Sequence, residues 1–313
     1  MSKDETVKKL KVKKLRSSKG EKVKDGDMLY VGYQGTLLDG TQFDANYDFT
    51  HFEAVTPSQS NFLLQTPNGE FPLVSANYPF NFVLGAGQVI PGWDKALKGR
   101  RLGEVFELTI PSDLAYGEQG AGDLIPPDSP LRFTVELLVA GRMDKEGNPT
   151  TLLPNIDDLG LDADKLGLTP ERVQLMQRVK VGLDKGQDNL IGSHFNDLLI
   201  GLGGNDVLDG KAGADVLIGG KGKNRYVFTD LQDSPNAKGD QDQILEFGSK
   251  DKIVLSDLAD DLQFIGEAKF SGAAGQVRFK KGTLELDVDG DKTADFSVLM
   301  PNTDSLKASS LVL

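Results

Sequence analysis

The 313-residue sequence contains no cysteine, one tryptophan and only two histidines, His51 and His194. Without cysteine the chain forms neither disulfides nor a thiolate nucleophile. Two histidines so far apart cannot supply an H-E-x-x-H zinc site, and they fit no histidine-based triad of known spacing. Thiol, zinc-protease and histidine-triad chemistry are therefore excluded.

Long apolar runs are missing as well. No stretch approaches the length of a membrane helix, and no apolar run near the N-terminus looks like a signal peptide. The formal net charge of −12 argues against general nucleic-acid binding. A hydrophobic content of 38% over 313 residues predicts two or three domains with packed cores.

Glycine and aspartate recur in nines between residues 182 and 228. One position of five successive units is held by four aspartates and an asparagine: Asp188, Asp197, Asp206, Asp215 and Asn224. An apolar residue follows two places later in each unit, leucine in the first four and Tyr226 in the fifth. This strict register disfavours the alternative of a disordered Gly/Asp-rich linker.

Each unit has the chemistry of a cation-binding turn. Its glycines permit positive φ and close backbone approach, while the carboxylate and the turn carbonyls offer the hard oxygen ligands that calcium prefers. The units resemble the G-G-x-G-x-D-x-U-x nonapeptide of calcium-binding RTX β-rolls. That family makes one coil from two units, which implies three neighbouring ligand pairs: Asp188 with Asp206, Asp197 with Asp215, and Asp206 with Asn224.

Two features of the units lead to further expectations. The Asp197–Asp215 site should be the less favourable one, because His194 and Phe195 occupy turn positions that suit small residues. The side chains beside the inward leucines of units two and four are all apolar, so we expect this face to be covered. They are Leu198, Ile200, Val216 and Ile218.

The N-terminal half has the pattern of a small α+β domain. Its first 26 residues are rich in lysine, and an edge strand near Val7–Leu15 is favoured over a binding arm for acidic partners. Alternating strands follow, and Pro91 and Gly99 bracket one short helix.

Five motifs carry a resemblance: Gly32-Tyr33-Gln34-Gly35, Phe43-Asp44, Val89-Ile90-Pro91-Gly92-Trp93, Ala115-Tyr116-Gly117 and Ile125-Pro126-Pro127. From about residue 5 to Arg142 the chain resembles the FKBP family of peptidyl-prolyl cis-trans isomerases. The resemblance implies a curved antiparallel sheet wrapped over one short helix. It also implies a proline pocket built from Tyr33, Phe43, Asp44, Phe80, Val89, Ile90, Trp93, Tyr116 and Phe133.

The resemblance assigns a role to several of these residues. Trp93 forms the floor of the pocket, and the Ile90 N–H and the Tyr116 hydroxyl bind substrate carbonyls. Rotation about an X-Pro bond has a barrier of about 18–20 kcal/mol but needs no nucleophile and no cofactor. A module that only binds proline-containing peptides remains the alternative.

The chain departs from the family pattern at three places. Gln88 stands where many members have Glu, and Ala121 lies where the pocket rim is often bulkier. Residues 48–78 form an insertion that matches no known motif; it is either a surface elaboration, the favoured reading, or an overhang above the pocket.

Residues 143–181 are expected to be a connector with a short helix that starts at Thr169 and Pro170. Residues 229–313 resemble the C-terminal region of secreted serralysin-type proteases, through Tyr226–Phe228, Asp240–Phe247, Asp251–Ser256 and Ala294–Val298. For the sequence Asp287-x-Asp289-x-Asp291 a hairpin turning at Asp289-Gly290 is favoured over an EF-hand, which would need Gly at position 292.

Together these patterns predict an FKBP-like domain at 1–142, the connector at 143–181, an all-β parallel β-roll at 182–228 and a C-terminal β domain at 229–313. The apolar ending Ser309–Leu313 resembles tails of chains exported by type I secretion machinery. We therefore expect a secreted isomerase of proline-containing peptides or proteins, with structural calcium in its repeats and no catalytic cofactor.

Overall fold

The computed structural model describes residues 7–49, 53–54, 63–66, 69–72, 80–152, 154, 156–168, 175–176 and 178–313. At 53–54, 63–66, 69–72 and 178 only the backbone is described. These residues divide into two compact units, one mainly before and one after Leu161. No helix in the described ranges is both long and apolar enough to cross a membrane.

The described strands up to residue 152 are β1 (Lys11–Arg16), β2 (Met28–Leu37), β3 (Gln42–Ala45), β4 (Tyr47–Asp48), β5 (Glu53–Ala54), β6 (Leu63–Thr66), β7 (Gly69–Pro72), β8 (Phe80–Val83), β9 (Val105–Ile110), β10 (Leu131–Met143) and β11 (Pro149–Leu152). Helix α1 spans Pro91–Leu97, and short 3-10 turns cover Ser112–Leu114, Gly117–Gln119 and Ile156–Leu159.

Seven of these strands form one antiparallel sheet. Its main order is β1-β9-β10-β2-β3, with β11 paired to β10 and β8 paired to β2. Strand β1 lies at the edge with Lys11, Lys13 and Lys14 exposed, which confirms the predicted lysine-rich edge strand. Burial alternates along β9, as expected for a strand with one face against a core.

Helix α1 packs its apolar side into that core. Pro91 begins the helix, Gly99 adopts a φ of +75° just beyond its end, and Trp93, Ala96 and Leu97 are buried. The expected short helix between Pro91 and Gly99 is therefore confirmed. The core around it consists chiefly of Leu29, Val31, Phe82, Leu84, Leu102, Phe106, Leu108, Ile110, Leu131, Phe133, Val135 and Leu137.

The segment after residue 142 differs from a plain connector. Strand β10 reaches Met143 and pairs with β11, where Pro149 lies opposite Met143. Proline is tolerated there because it is the first residue of its strand, and Asp144 Oδ1 accepts hydrogen bonds from the N–H groups of Glu146 and Asn148 in the turn. The short helix described in this segment is α2 (Ala163–Leu166), capped by the Asp162 side chain. The predicted helix at Thr169 lies outside the described residues, as do the side chains of most of the 48–78 insertion.

The described strands of the second unit from residue 178 onward are β12 (Arg178–Val181), β13 (Asn189–Ile191), β14 (Asp197–Ile200), β15 (Gly203–Gly204), β16 (Val207–Asp209), β17 (Val216–Ile218), β18 (Lys221–Gly222), β19 (Arg225–Val227), β20 (Gln243–Glu246), β21 (Lys252–Val254), β22 (Gln263–Phe264), β23 (Gln276–Lys280), β24 (Thr283–Asp287), β25 (Phe296–Leu299) and β26 (Leu311–Val312). Turns of 3-10 type cover Leu231–Asp233 and Ala308–Ser310.

Alternate repeat units belong to different sheets. Units one, three and five give β13-β16-β19, continued by β21 and β26 in a five-stranded parallel sheet. Units two and four give β14-β17 in an eight-stranded sheet of order β12-β14-β17-β20-β25-β24-β23-β22. The register pairs Leu190 with Leu208 and Leu199 with Leu217, so units two apart are neighbours.

Three other expectations can be compared with this unit. Leu198, Ile200, Val216 and Ile218 are completely buried, which confirms that their face is covered. Strands β24 and β25 form an antiparallel pair whose connection contains Asp289-Gly290, which confirms the hairpin. The apolar ending is strand β26, paired in parallel with β21.

Candidate functional site

Five elements of the first unit bring aromatic rings together. The residues that the sequence analysis assigned to them are Tyr33 on β2, Phe43 on β3, Phe80 on β8, Trp93 on α1 and Phe133 on β10. Because side chains alternate across a strand, Phe80 and Phe82 share one face of β8, and their ring centroids lie 5.6 Å apart.

Trp93 is the centre of this ring cluster. Its ring centroid lies 5.2 Å from that of Phe133, 5.5 Å from Tyr33, 5.8 Å from Phe82 and 6.0 Å from Phe80, and all four contacts are edge-to-face. Such geometry is the favourable one for aromatic pairs. Trp93 is only 3% exposed, and its buried Nε1 has no hydrogen-bond partner among the described residues.

Gly35 permits the close approach of the Phe43 and Phe133 rings. A Cβ at this position would lie 2.7 Å from the Phe43 ring and 2.8 Å from the Phe133 ring. The bare backbone of β2 lets these two rings meet edge-to-face at 5.5 Å. The glycine of the Gly32–Gly35 motif is thus required for packing rather than for backbone conformation.

The ring cluster is open to solvent on one side. Phe80 is 40% exposed, and Tyr33, Phe43, Val89 and Ile90 are half-buried, although all but Phe80 pack against the core. A cluster that served only as core would bury these side chains completely. The arrangement therefore offers an apolar surface on which a small ring can be held.

Polar groups at this surface are few. The Tyr33 hydroxyl donates a 2.6 Å hydrogen bond to Asp44 Oδ2. Burial raises the pKa of Tyr33 above its usual range, and the bond to Asp44 and the nearby Tyr116 raise it further. Tyr116 is 42% exposed. In the part of the chain that is described, neither the Tyr116 hydroxyl nor the Ile90 N–H has a hydrogen-bond partner.

The two single-residue departures from the family pattern, Gln88 and Ala121, fit the structure without strain. Gln88 Oε1 accepts a 2.8 Å hydrogen bond from the Val83 N–H, a role that a carboxylate oxygen would fill equally well. Ala121 exchanges two backbone hydrogen bonds with Ile125 at 2.9 and 3.1 Å. This exchange closes the rim loop with backbone bonds rather than with a large side chain.

Three residues at or near the ring cluster were not predicted to belong to the site: Phe82, Ile125 and Asp94. Phe82 contacts Trp93, and its spacing of two from Phe80 was the available signal. Ile125 is buried in the same core cluster. Asp94 accepts hydrogen bonds from the N–H groups of Gly85 at 2.8 Å and Gly87 at 3.3 Å, and no sequence signal marked that role.

A second candidate site is a ladder of buried acidic turns in the second unit. Each rung is a backbone N–H that donates to the side-chain oxygen of the residue 18 positions later. Three rungs are formed, from Asp188 to Asp206, from Asp197 to Asp215, and from Asp206 to Asn224, at 2.7–3.1 Å. The sequence-predicted metal residues are therefore adjacent in the three expected pairs.

The ladder continues beyond the repeats. The Asp215 N–H donates to Asp242 Oδ1 and the Asn224 N–H donates to Asp251 Oδ1, both at 2.8 Å and 27 residues apart. These two rungs were not predicted, because residues 229–241 separate them from the repeat units. The signal was the spacing of nine between Asp242 and Asp251, each followed two places later by isoleucine.

The three pairs predicted from the sequence place only Asp206 in two of them, and this continuation corrects that expectation. Asp215 also has a ladder neighbour on each side, Asp197 and Asp242. The turn with His194 and Phe195 keeps its rung as well, because Ser193 donates to Asp197 Oδ2 through both its N–H and its hydroxyl. The bulky turn residues therefore do not interrupt the ladder.

The donor set of the ladder fits a calcium ion. Asp206, Asp215 and Asp242 are completely buried, and the Oδ2 atom of each has no hydrogen-bond partner among the described residues. Burial raises the pKa of Asp206 to about 7 and raises the pKa of Asp215 and Asp242 as well. A carboxyl group buried in this way stays ionised only beside a compensating positive charge and is otherwise protonated.

Carbonyl oxygens complete this donor set. The Gly219 carbonyl and Asp206 Oδ2 both adjoin the bare Cα of Gly201, where a side chain would displace them. The Gly186 carbonyl has the same relation to Gly204. Carboxylate and carbonyl oxygens together are the ligands that calcium prefers.

A third acidic group lies in the β24–β25 connection. Carboxylate oxygens of Asp287, Asp289 and Asp295 lie within 4.8 Å of one another. Asp287 is buried, but its two oxygens accept hydrogen bonds from the N–H groups of Gly290 and Lys292. These bonds shape the hairpin turn, in agreement with the preference for a hairpin over an EF-hand.

An antiparallel sheet over a short helix, with an open aromatic cluster around one tryptophan, defines the class of FKBP-fold prolyl isomerases. Residues 19–138 match the family model described as FKBP-type peptidyl-prolyl cis-trans isomerase. The chain is 40% identical over 128 residues to FK506-binding protein 2 of Yarrowia lipolytica, a match that covers 41% of this chain and 68% of that one.

Two further relatives give the same result. FK506-binding protein 2 of Dictyostelium discoideum is 40% identical over 117 residues, with 37% of this chain and 68% of that protein covered. An FK506-binding protein of Neisseria meningitidis serogroup C is 36% identical over 127 residues, with 41% and 92% covered. The chain belongs to the FKBP family and is a peptidyl-prolyl isomerase of that type.

The second unit has a different relationship. Residues 174–312 match the family model described as Peptidase M10 serralysin C terminal. The protein thus joins an FKBP-type isomerase domain to a serralysin-like C-terminal domain, as the sequence motifs indicated.

Proposed function

We propose that this protein catalyses cis-trans isomerisation of X-Pro bonds outside the cell, and that calcium folds its C-terminal domain after export. The observation that carries the catalytic part is the half-exposed ring cluster around buried Trp93. Two donors beside it, the Ile90 N–H and the Tyr116 hydroxyl, have no hydrogen-bond partner among the described residues.

In the proposed mechanism the proline ring rests on Trp93 between Tyr33, Phe80 and Phe133. The Ile90 N–H and the Tyr116 hydroxyl hold the carbonyls on either side of the rotating bond. The planar amide separates charge through resonance, so it loses more stabilisation than the twisted amide when water is removed. An apolar, water-poor surface therefore lowers the barrier to rotation. Asp44, held by Tyr33, supplies the polar group beside the twisting bond. Val89 and Phe43 complete the apolar wall.

We propose further that residues 182–228 form an RTX β-roll that binds calcium. Asp188, Asp197, Asp206, Asp215 and Asn224 are the proposed ligand-bearing residues, extended by Asp242 and Asp251. Bound calcium would neutralise the buried carboxylates between successive coils. Metal binding then contributes directly to the free energy of folding. The proposed domains are 1–142, 182–228 and 229–313, joined by residues 143–181.

Export through a type I system is the proposed route out of the cell. Its support is the acidic repeat array together with the apolar ending Ser309–Leu313. A chain ending at Asp261 should stay inside a host that carries such an exporter, while the full chain should leave it. Equal export of both chains would place the signal elsewhere.

The full chain should be assayed on an X-Pro peptide by NMR exchange, with calcium and with a chelator. Isomerisation should be present in both conditions, because the FKBP-type domain has its own core. The chelator should remove the far-UV circular dichroism of the C-terminal domain. Peptide binding without catalysis would instead identify a proline-peptide binding module, and an unchanged dichroism spectrum would overturn the calcium proposal.

A further inference from the structure

The charged residues of the isomerase domain are distributed very unevenly. Residues 1–142 hold 16 Lys and Arg and 18 Asp and Glu, so the domain is nearly neutral. Residues 25–94 and 102–131 nevertheless contain 14 acidic residues and no Lys or Arg at all. All of the pocket residues except Phe133 lie in these two segments. The acidity around the pocket is therefore not a consequence of the acidic C-terminal half.

Some of these acids are neutralised by bases from outside the two segments. Ion pairs join Asp25 to Lys98, Asp27 to Arg142, Glu104 to Lys14, and Glu107 to Arg132. Four acids on the loop between β9 and β10 are exposed and have no ion pair in the described part of the chain. We call them the acidic rim: Asp113, Glu118, Asp123 and Asp128.

The acidic rim adjoins the pocket. Its loop leaves the sheet at Ile110 and returns at Leu131, which are paired to each other, two residues before Phe133. The same loop carries Tyr116, which is close enough to Tyr33 to influence its pKa. The Asp128 N–H donates a 2.8 Å hydrogen bond to the Gly117 carbonyl, which holds Asp128 beside Tyr116.

The rim carboxylates do not converge on one point. Among the described residues, the only three carboxylates whose oxygens converge within 4.8 Å are those of Asp287, Asp289 and Asp295. The rim carboxylates are instead spread over the loop, and Leu124, 56% exposed, lies between them beside Asp123. Separated carboxylates with apolar surface between them match long cationic side chains. The methylene groups of such side chains pack on the apolar surface while their charged ends remain in water near the carboxylates.

We infer that the preferred substrate of this isomerase is an X-Pro segment flanked by Lys or Arg. The inference rests on the proposed function of the ring cluster. The pocket beside the rim also has two donors without a hydrogen-bond partner among the described residues, the Tyr116 hydroxyl on the rim loop itself and the Ile90 N–H. Because the rim acts on the flanks and not on the rotating bond, it should lower KM and leave kcat unchanged.

The test compares two peptides on the full chain in calcium, acetyl-Lys-Ala-Leu-Pro-Phe-Ala-Lys-amide and its analogue with norleucine for both lysines. NMR exchange should give a kcat/KM about fivefold higher for the lysine peptide at low salt, and 0.3 M NaCl should reduce this ratio towards one. Equal values for both peptides at low salt would overturn the inference. No turnover of either peptide would contradict the proposed function instead.

The matched variant changes all four rim acids to amides, Asp113→Asn, Glu118→Gln, Asp123→Asn and Asp128→Asn. Asp128 has a φ of +59°, which Asn adopts readily. The ratio of kcat/KM for the lysine peptide to that for the norleucine peptide should fall to about one. This ratio does not depend on the fraction of enzyme that is folded. The control Glu146→Gln removes an exposed acid from the β10–β11 turn, at the opposite end of β10, and should keep the parent ratio. A variant ratio equal to the parent's would assign the preference to other groups.

Discussion

The hydroxyl of Tyr33 donates a 2.6 Å hydrogen bond to Oδ2 of Asp44, across neighbouring strands. The bond fixes an exposed carboxylate beside the ring cluster. It also makes Tyr33 a support for Asp44 as well as a wall of the pocket. The two roles can be separated, because Tyr33→Phe removes the hydrogen bond and keeps the ring.

We expect Asp44→Ala to lower kcat/KM about tenfold or more, since the carboxylate proposed to lie beside the twisting amide is lost. Phe133→Ala should have a comparable effect because it opens the floor next to Trp93. Tyr33→Phe should lower kcat/KM only about threefold, because it removes one partly exposed hydrogen bond and keeps the ring. Full activity of both Asp44→Ala and Phe133→Ala, with native Trp93 fluorescence, would refute the site assignment.

Asp94 organises the loop before Ile90. Its carboxylate accepts from the Gly85 and Gly87 N–H groups, and both glycines have positive φ. Asp94→Ala should release this loop and misplace the Ile90 N–H, with KM raised about fivefold and kcat changed little. The neighbouring exposed Lys95→Ala is the control. A fall in kcat alone would show that Asp94 does not act through substrate binding.

The ladder predicts which calcium variants behave alike. Asp206 and Asp215 each have a ladder neighbour on both sides and an unpartnered buried Oδ2 among the described residues. Asp206→Ala and Asp215→Ala should therefore shift the midpoint of calcium-induced folding of the full chain to higher calcium by similar factors, about tenfold. The measurement is far-UV circular dichroism against free calcium.

The control for this pair is Asp240→Ala, an exposed aspartate two residues before Asp242. It should titrate like the parent chain. If Asp206→Ala shifts the midpoint and Asp215→Ala does not, the earlier expectation based on the bulky turn at Phe195 is the better one. If neither variant shifts the midpoint, calcium does not bind at the ladder.

Local patterns in the sequence predicted the parts of the fold that local patterns control. Pro91 and Gly99 bracket α1, lysines mark β1, and the nine-residue period pairs Leu190 with Leu208. Tyr33, Phe43 and Trp93, whose rings lie in the cluster, belong to short sequence motifs on separate elements.

Contacts that depend on tertiary placement were missed. Asp242 and Asp251 join the ladder only because the chain after the repeats adds β20 and β21 to the two sheets, each in parallel with a repeat strand. The bonds from Gly85 and Gly87 to Asp94 depend on the packing of a loop against a helix. The sequence Asn148-Pro149 is typical of a segment that ends regular secondary structure. Pro149 nevertheless begins strand β11, which pairs with β10 and extends the sheet. In each case a long-range contact outweighs the local preference.

A buried ion pair ties the start of β2 to the end of β10. Arg142 donates to both oxygens of Asp27, through Nε at 2.8 Å and through Nη2 at 2.7 Å, and the Asp27 side chain is 1% exposed. Burial alone would raise the pKa of Asp27. The hydrogen bonds from Arg142 and from the Lys24 N–H outweigh it, and the pKa is lowered below its usual value.

Because the pKa of Asp27 is lower in the folded state, the ion pair stabilises the domain fully at pH values above the unfolded-state pKa of about 3.9. Its contribution is lost as the pH falls through the folded-state pKa. Asp27→Asn leaves Arg142 without its charged partner, so it should lower the free energy of unfolding by about 3 kcal/mol at pH 7. The difference from the parent should start to shrink below about pH 4, where the unfolded parent takes up a proton, and disappear as the pH falls through the folded-state pKa.

Denaturant unfolding followed by Trp93 fluorescence measures this effect in the full chain, because Trp93 is the only tryptophan and lies in the isomerase domain. The control is Asp25→Asn, which removes the exposed pair with Lys98 and should cost at most about 0.5 kcal/mol. A loss in Asp27→Asn that is the same at pH 7 and pH 3 would mean that packing, and not the charge of Asp27, provides the stability.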